Sequence, residues 1–208
     1  MALTIEVLDR DLDAPPSKNF ATRIADPGPL GLAAFAMTTF FLSSVNAGWL
    51  PKSVEAVVLG LALFYGGIAQ VLAGMWEFVK GNTFGAVAFT SYGAFWLSFW
   101  YLVAHVKLDA PAGDAAKGVG FFLLGWTIFT VYMLICSLRT SGVLVAVFGF
   151  LSATFLALTL GELAGASGWT TVGGYLGLIT ALVAWYGSMA GVLNSFPSRV
   201  AMPTFPRG

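Results

Sequence analysis

Gln70, Glu77, Asn82 and Tyr92 are threaded through the segment Phe64 to Trp96, FYGGIAQVLAGMWEFVKGNTFGAVAFTSYGAFW, which is otherwise apolar and rich in glycine. An amide, carboxylate or phenol that enters an apolar phase loses its water, so each needs a partner or a polar route to line. Gln70 can donate and accept hydrogen bonds, which suits either an inter-helix bond or a pathway wall. Thr90, Ser91 and Tyr92 place three hydroxyls in a row, about halfway along a helix that Asn82 or Thr83 would cap. A tyrosine ring can line a constriction while its O–H bonds a passing carboxylate, and periodicity alone leaves Tyr92 open between core and pore. Thr38 and Thr39 invite the same reading, although threonine commonly bonds back to its own helix. Glu77 has Lys80 three residues on, a spacing that reads as a local ion pair at a helix end.

The string Asp26-Pro27-Gly28-Pro29-Leu30-Gly31-Leu32 marks the passage from polar to apolar sequence. Asp26 has the chemistry of an N-cap, and both prolines fit a first helical turn, where a missing N–H costs little. The free N–H groups of such a helix start favour an anion, whereas the Asp26 carboxylate opposes one. Elsewhere the chemistry thins out. His105 is the one histidine and Cys136 the one cysteine, which excludes an intramolecular disulfide and a CxxC site and leaves no expected metal or cofactor. No Ser/His/Asp set, intramembrane carboxylate pair or phosphate-cradling GxxxxGK[ST] appears, so no enzyme is expected.

The elements that position these residues follow from composition. With 58% hydrophobic and only 10% charged residues, the chain is too apolar for a soluble domain and belongs in a bilayer. Lys+Arg and Asp+Glu balance at 10 each, so no basic field exists to hold nucleic acid. Apolar runs near 30–50, 54–79, 83–104, 118–138, 141–164 and 169–193 each reach the ~20 residues a helix needs to cross hydrocarbon. This predicts an all-α, polytopic membrane protein, with six transmembrane helices in a bundle and consecutive spans as antiparallel neighbours. Residues 1–28 form a polar arm expected to be disordered, 29–194 the transmembrane domain and 195–208 a tail. Arg10, Lys18, Arg23, Lys80, Arg139, Arg199 and Arg207 fall on one side, against Lys52, Lys107 and Lys117 on the other, which predicts cytoplasmic N- and C-termini. Glycine pairs at 81/85, 161/165, 173/177 and 187/191 permit close helix approach, within one bundle or between subunits.

The strings DPGPLGL (26–32), FYGGIAQ (64–70), KGNTFG (80–85) and AFTSYGAFW (88–96) occur in order, and together they resemble the acetate uptake transporter family. This family comprises the succinate-acetate permeases of bacteria and their fungal acetate- and ammonia-linked relatives. The resemblance runs from Asp26 to about Asn194. It implies six transmembrane helices, a homohexamer in the plasma or inner membrane with one pathway per protomer, and movement of acetate and similar short monocarboxylates, sometimes succinate. It also implies a hydrophobic constriction, carried over by motif onto Phe35, Tyr92 and Leu151. Pro27, Pro29, Leu30, Gly31, Thr38, Thr39, Gln70, Thr90, Ser91 and Asn194 are the further pathway candidates. The family pattern has Asn where this chain has Asp26, which keeps the capping chemistry but adds a charge beside the mouth, with consequences for affinity or pH dependence. Whether protons accompany the acid is open. The alternatives are an ammonium or proton conductor and a non-transporting structural or regulatory membrane protein.

Overall fold

A computed structural model of the protein describes residues 24–197 and 200–207. Among the described residues six helices are long and apolar enough to cross a membrane: α1 Gly28–Asn46, α2 Lys52–Lys80, α3 Thr83–His105, α4 Ala112–Ser137, α5 Gly142–Ala164 and α6 Ser167–Asn194. They fall on the six apolar runs. Helix α4 starts upstream of its run because the helix-forming stretch Ala112-Gly-Asp-Ala-Ala-Lys117 is too polar to register as hydrophobic. Most of the polar arm, residues 1–23, lies outside the described residues.

The α3 cap forms as the sequence suggests: the Asn82 side chain accepts from Gly85 N at 3.2 Å. Gly81, just before it, adopts φ 78° and closes α2. Gly165 closes α5 in the same left-handed way at φ 62°. Gly81 and Gly165 are therefore stops, and the pairs 81/85 and 161/165 are not helix-contact motifs. Asp26 differs from expectation. Pro27 occupies the N-cap position of α1 with no side-chain cap, and Asp26 Oδ1 accepts from Gly28 N at 3.0 Å. Standing one residue before the cap, Asp26 bonds the first helical N–H rather than the second or third.

Helix α2 is built from a 3₁₀ turn Lys52–Val57, an α segment Val58–Leu63, a π segment Phe64–Ala69 and an α segment Gln70–Lys80. Gly66 and Gly67, expected to soften the helix before Gln70, lie inside the π segment. They also sit at contacts too close for a side chain: a Cβ on Gly66 would stand 2.6 Å from Thr38 Oγ1, and one on Gly67 2.5 Å from Ala62 O. Along α6, Gly173, Gly177, Gly187 and Gly191 face Leu158, Ser43, Val143 and Pro29, so this glycine stripe serves packing inside the protomer.

The helices form a closed ring in which α4, α5, α6 and α1 pack in succession, α1 also meets α2, and α2 pairs with α3. Helices α3 and α4 depart from the expected neighbour packing, because their backbones scarcely approach. Aromatic rings fill the gap: Phe95 stacks on Phe122 at 5.8 Å, and Tyr92 meets Phe129 edge-on at 5.3 Å. Bulky residues on both faces hold the two backbones apart.

The tail does not leave the bundle. Asn194 Nδ2 donates to Met202 O at 3.0 Å and its Oδ1 accepts from Met202 N at 2.8 Å, while Tyr186 donates to Pro203 O at 2.7 Å. Beyond that turn Gly142 N donates to Phe205 O and Arg207 N to Thr140 O, both at 2.8 Å. Phe205 takes a left-handed φ of 56° to make this return. Asn194→Ala removes both side-chain bonds to Met202. At about 1 kcal/mol each, their loss should make the Met202 amide exchange roughly tenfold faster or more in a hydrogen-exchange measurement, with α6 amides unchanged.

Candidate functional site

A cavity of about 260 Å³ enters the bundle at the N-terminal end of α1. Its wall is mostly apolar, and its polar groups come from separate elements: Asp26 ahead of α1, Gln70 and Glu77 from α2, Asn82 at the start of α3, Ser141 before α5 and Thr204 from the tail. A smaller cavity of about 40 Å³ lies beyond it and includes Thr39, Ser43, Asn46, Trp96 and Thr154. Phe35 and Leu151 line both, so these two side chains stand in the partition between them.

Tyr92 lines the larger cavity beside Phe35. It is 3% exposed, its ring lies 5.7 Å from Phe35 at 58°, and Phe35, Tyr92 and Leu151 share one core cluster. Four rings surround it: Phe35, Trp126 at 6.0 Å, Phe129 at 5.3 Å and Phe148 at 6.0 Å. Its hydroxyl lies 2.8 Å from Thr130 Oγ1, which itself donates to Trp126 O at 2.7 Å. A threonine has one hydroxyl proton, so Tyr92 is the donor in its own bond. The phenol is thereby committed to α4, and the apolar ring is what it presents to the cavity.

The other predicted residues divide. Pro29 and Gln70 line the cavity, and Gln70 is 1% exposed, its Oε1 without a hydrogen-bond partner among the described residues. Thr39 lines the far cavity, and among the described residues its hydroxyl and the indole N–H of Trp96 beside it also have no partner. Thr38 donates to Ala34 O at 2.9 Å and packs on Gly66, so its role is at the α1–α2 contact. Thr90 is pressed against Gly74 between α2 and α3, and Ser91 touches neither cavity. Pro27 is buried at the α1 cap, Gly31 seats the Phe89 ring, and Leu30 faces outward. Asn194 holds the tail.

Glu77 corrects the ion-pair expectation. Lys80 Nζ is occupied by Ile24 O at 3.0 Å, whereas Glu77 Oε2 accepts from Asn82 Nδ2 at 2.9 Å, and the carboxylate lines the cavity at 2% exposure. Sequence reasoning also missed Thr130 and Phe148. Both sit in runs without a distinctive string, where no signal separates lipid-facing from core positions.

Together the fold and site define a six-span membrane protein with a cavity at one end, a smaller one beyond it, and an apolar partition between them. The chain belongs to the GPR1/FUN34/yaaH family, whose model matches residues 10–207. It is 40% identical over 182 residues to the succinate-acetate/proton symporter SatP of Escherichia coli K12, covering 88% of this chain and 96% of that one. It is 42% identical over 198 residues to acetate permease A of Emericella nidulans, covering 88% of this chain and 66% of that protein. The solved structure of the bacterial acetate channel SatP superposes with a TM-score of 0.81 at 40% identity, covering 87% of this chain and 99% of the other.

Proposed function

We propose that this protein carries acetate and other short carboxylates, with succinate at the upper end of the range, across the bacterial-type inner or plasma membrane. The observation that supports this reading is that Phe35 and Leu151 line two cavities, with Tyr92 packed against Phe35 in the larger one, in a chain similar to acetate carriers along nearly the whole membrane region. A carboxylate entering from the α1 end meets the Gln70 amide, sheds part of its hydration and encounters an apolar ring. Cross-section then selects, since a short acid exposes little charge to the ring for a short distance. The protonated acid crosses it more cheaply than the anion. Pro29, Gln70 and Thr39 line the route, and Phe35, Tyr92 and Leu151 gate it.

The distribution of Lys and Arg favours cytoplasmic N- and C-termini, which makes the large cavity the inner mouth. The resemblance favours a homohexamer with one pathway per protomer. Purified protein in proteoliposomes should take up radiolabelled acetate well above empty vesicles, and unlabelled short acids should compete. Equal uptake in both vesicle types would reject the reading, and current without acetate would favour an ammonium or proton conductor.

A further inference from the structure

Glu77 is a puzzle in a path for anions. Its carboxylate lines the mouth, is almost fully buried, and makes no ion pair among the described residues: Lys80, the cation that faces it, is hydrogen-bonded to Ile24 O. Of its two oxygens Oε2 holds Asn82, and Oε1 has no partner among the described residues. The seat is shaped for it by glycines on two other helices. A Cβ on Gly85 of α3 would lie 2.7 Å from Glu77 Cδ, and one on Gly28 of α1 would lie 3.5 Å from Oε1 and 3.2 Å from Asp26 Oδ1. Two carboxylates thus flank Gly28 at the entrance.

A fixed negative charge here would repel the substrate and remain poorly solvated. A neutral carboxylic acid would do the opposite, since its O–H is a donor. We propose that Glu77 is the proton-responsive residue of the mouth: protonated, it offers an O–H to the substrate carboxylate and admits it, and ionised, it bars it. The proton comes from water in the mouth and stays on Glu77 while the bond is made. The charged groups facing Glu77 are Asp26 ahead of α1 and Lys80 in the last turn of α2. Asn82 and Gly85 face it from α3, and α1 and α6 hold no charged residue. The charge nearest the start of α5 is Arg139 in the α4–α5 turn, and Arg207 of the tail joins the same turn through Thr140.

This inference rests on the transport reading, and the test separates the two. Acetate uptake into proteoliposomes is measured between about pH 8 and about pH 6, where a free carboxylic acid of pKa ~4–5 stays ionised. The same pH is held on both sides to remove a proton gradient. Wild type should speed up by about tenfold or more on acidification, up to the limit of one titrating group. Glu77→Gln keeps the shape and the acceptor for Asn82, and should already be fast at about pH 8, rising on acidification only as far as the growing undissociated fraction of acetic acid raises it. Asp26→Asn, which removes the neighbouring negative charge, should move the wild-type midpoint to lower pH, and it carries the test if Glu77→Gln does not fold. The proposal fails if wild-type uptake is flat with pH, if folded Glu77→Gln keeps the wild-type profile or is silent throughout, or if Asp26→Asn leaves the midpoint in place. Absence of wild-type uptake at every pH rejects the transport reading instead.

Discussion

Tyr92→Ala should admit acids that the wild-type protein excludes, raising uptake of a longer monocarboxylate relative to acetate by about ten- to a hundredfold, the discrimination that a few methylene-sized contacts provide. The reason is geometric: the Tyr92 ring lines the larger cavity and packs 5.7 Å from Phe35, which borders both cavities, so its removal widens the larger cavity beside that partition. Truncating so buried a ring also costs about 3–5 kcal/mol of stability, so rates must be normalised to folded protein. Phe35→Ala should relax selectivity in the same direction. Tyr92→Phe is the informative control. It loses only the bond to Thr130, worth about 1 kcal/mol, and should keep wild-type selectivity because the ring remains. Competition by acids of graded length in proteoliposomes checks all three. Unchanged selectivity in both alanine variants would remove the gate from Phe35 and Tyr92, and altered selectivity in Tyr92→Phe would return the work to the hydroxyl.

Gly174→Ala should be among the most damaging single-methyl changes in the chain. A Cβ there would stand 2.6 Å from Asn46 C and 2.7 Å from Ala47 Cα, and still closer to Ala47 N. These are backbone atoms at the end of α1, so no rotamer change relieves the clash and α1 must separate from α6. Overpacking of this kind costs about 1–3 kcal/mol or more. The matched control is Gly125→Ala, where nothing lies within 4 Å of the new methyl, and which should be neutral or slightly stabilising through helix propensity. In the same detergent Gly174→Ala should therefore unfold at a clearly lower temperature than the wild type, and Gly125→Ala at the same or a slightly higher one. Equal midpoints would mean that α1 and α6 do not pack this closely.

Residues 90–92 show why the bundle was easier to read than the site. Consecutive helical residues point about 100° apart, so three adjacent hydroxyls cannot all face one cavity. Which one does depends on the rotation of α3 about its axis. That rotation is set by contacts far along the chain, with Gly74 seating Thr90 and Gly93 admitting Val71, and it turns Tyr92 inward. The family strings supplied Tyr92 and Phe35 in advance, but the direction of the Tyr92 hydroxyl depended on Thr130, thirty-eight positions away. Glu77 was misread because Lys80 offered a sufficient partner at helical spacing. Only when Ile24 returns over the end of α2 is that lysine taken, leaving the carboxylate to Asn82.

The sequence by itself determined the six spans, the Asn82 cap of α3 and the family, because these depend on local quantities: the length of an apolar run, a cap three residues from its donor, an ordered set of short strings. The tertiary structure alone decided which polar groups border the cavities, that the tail folds back through Asn194, and that Glu77 sits at the mouth bonded to Asn82. Those features arise where α1, α2, α3 and α5 converge and where the tail meets the end of α6. Partners that meet only through packing leave no local pattern in the chain.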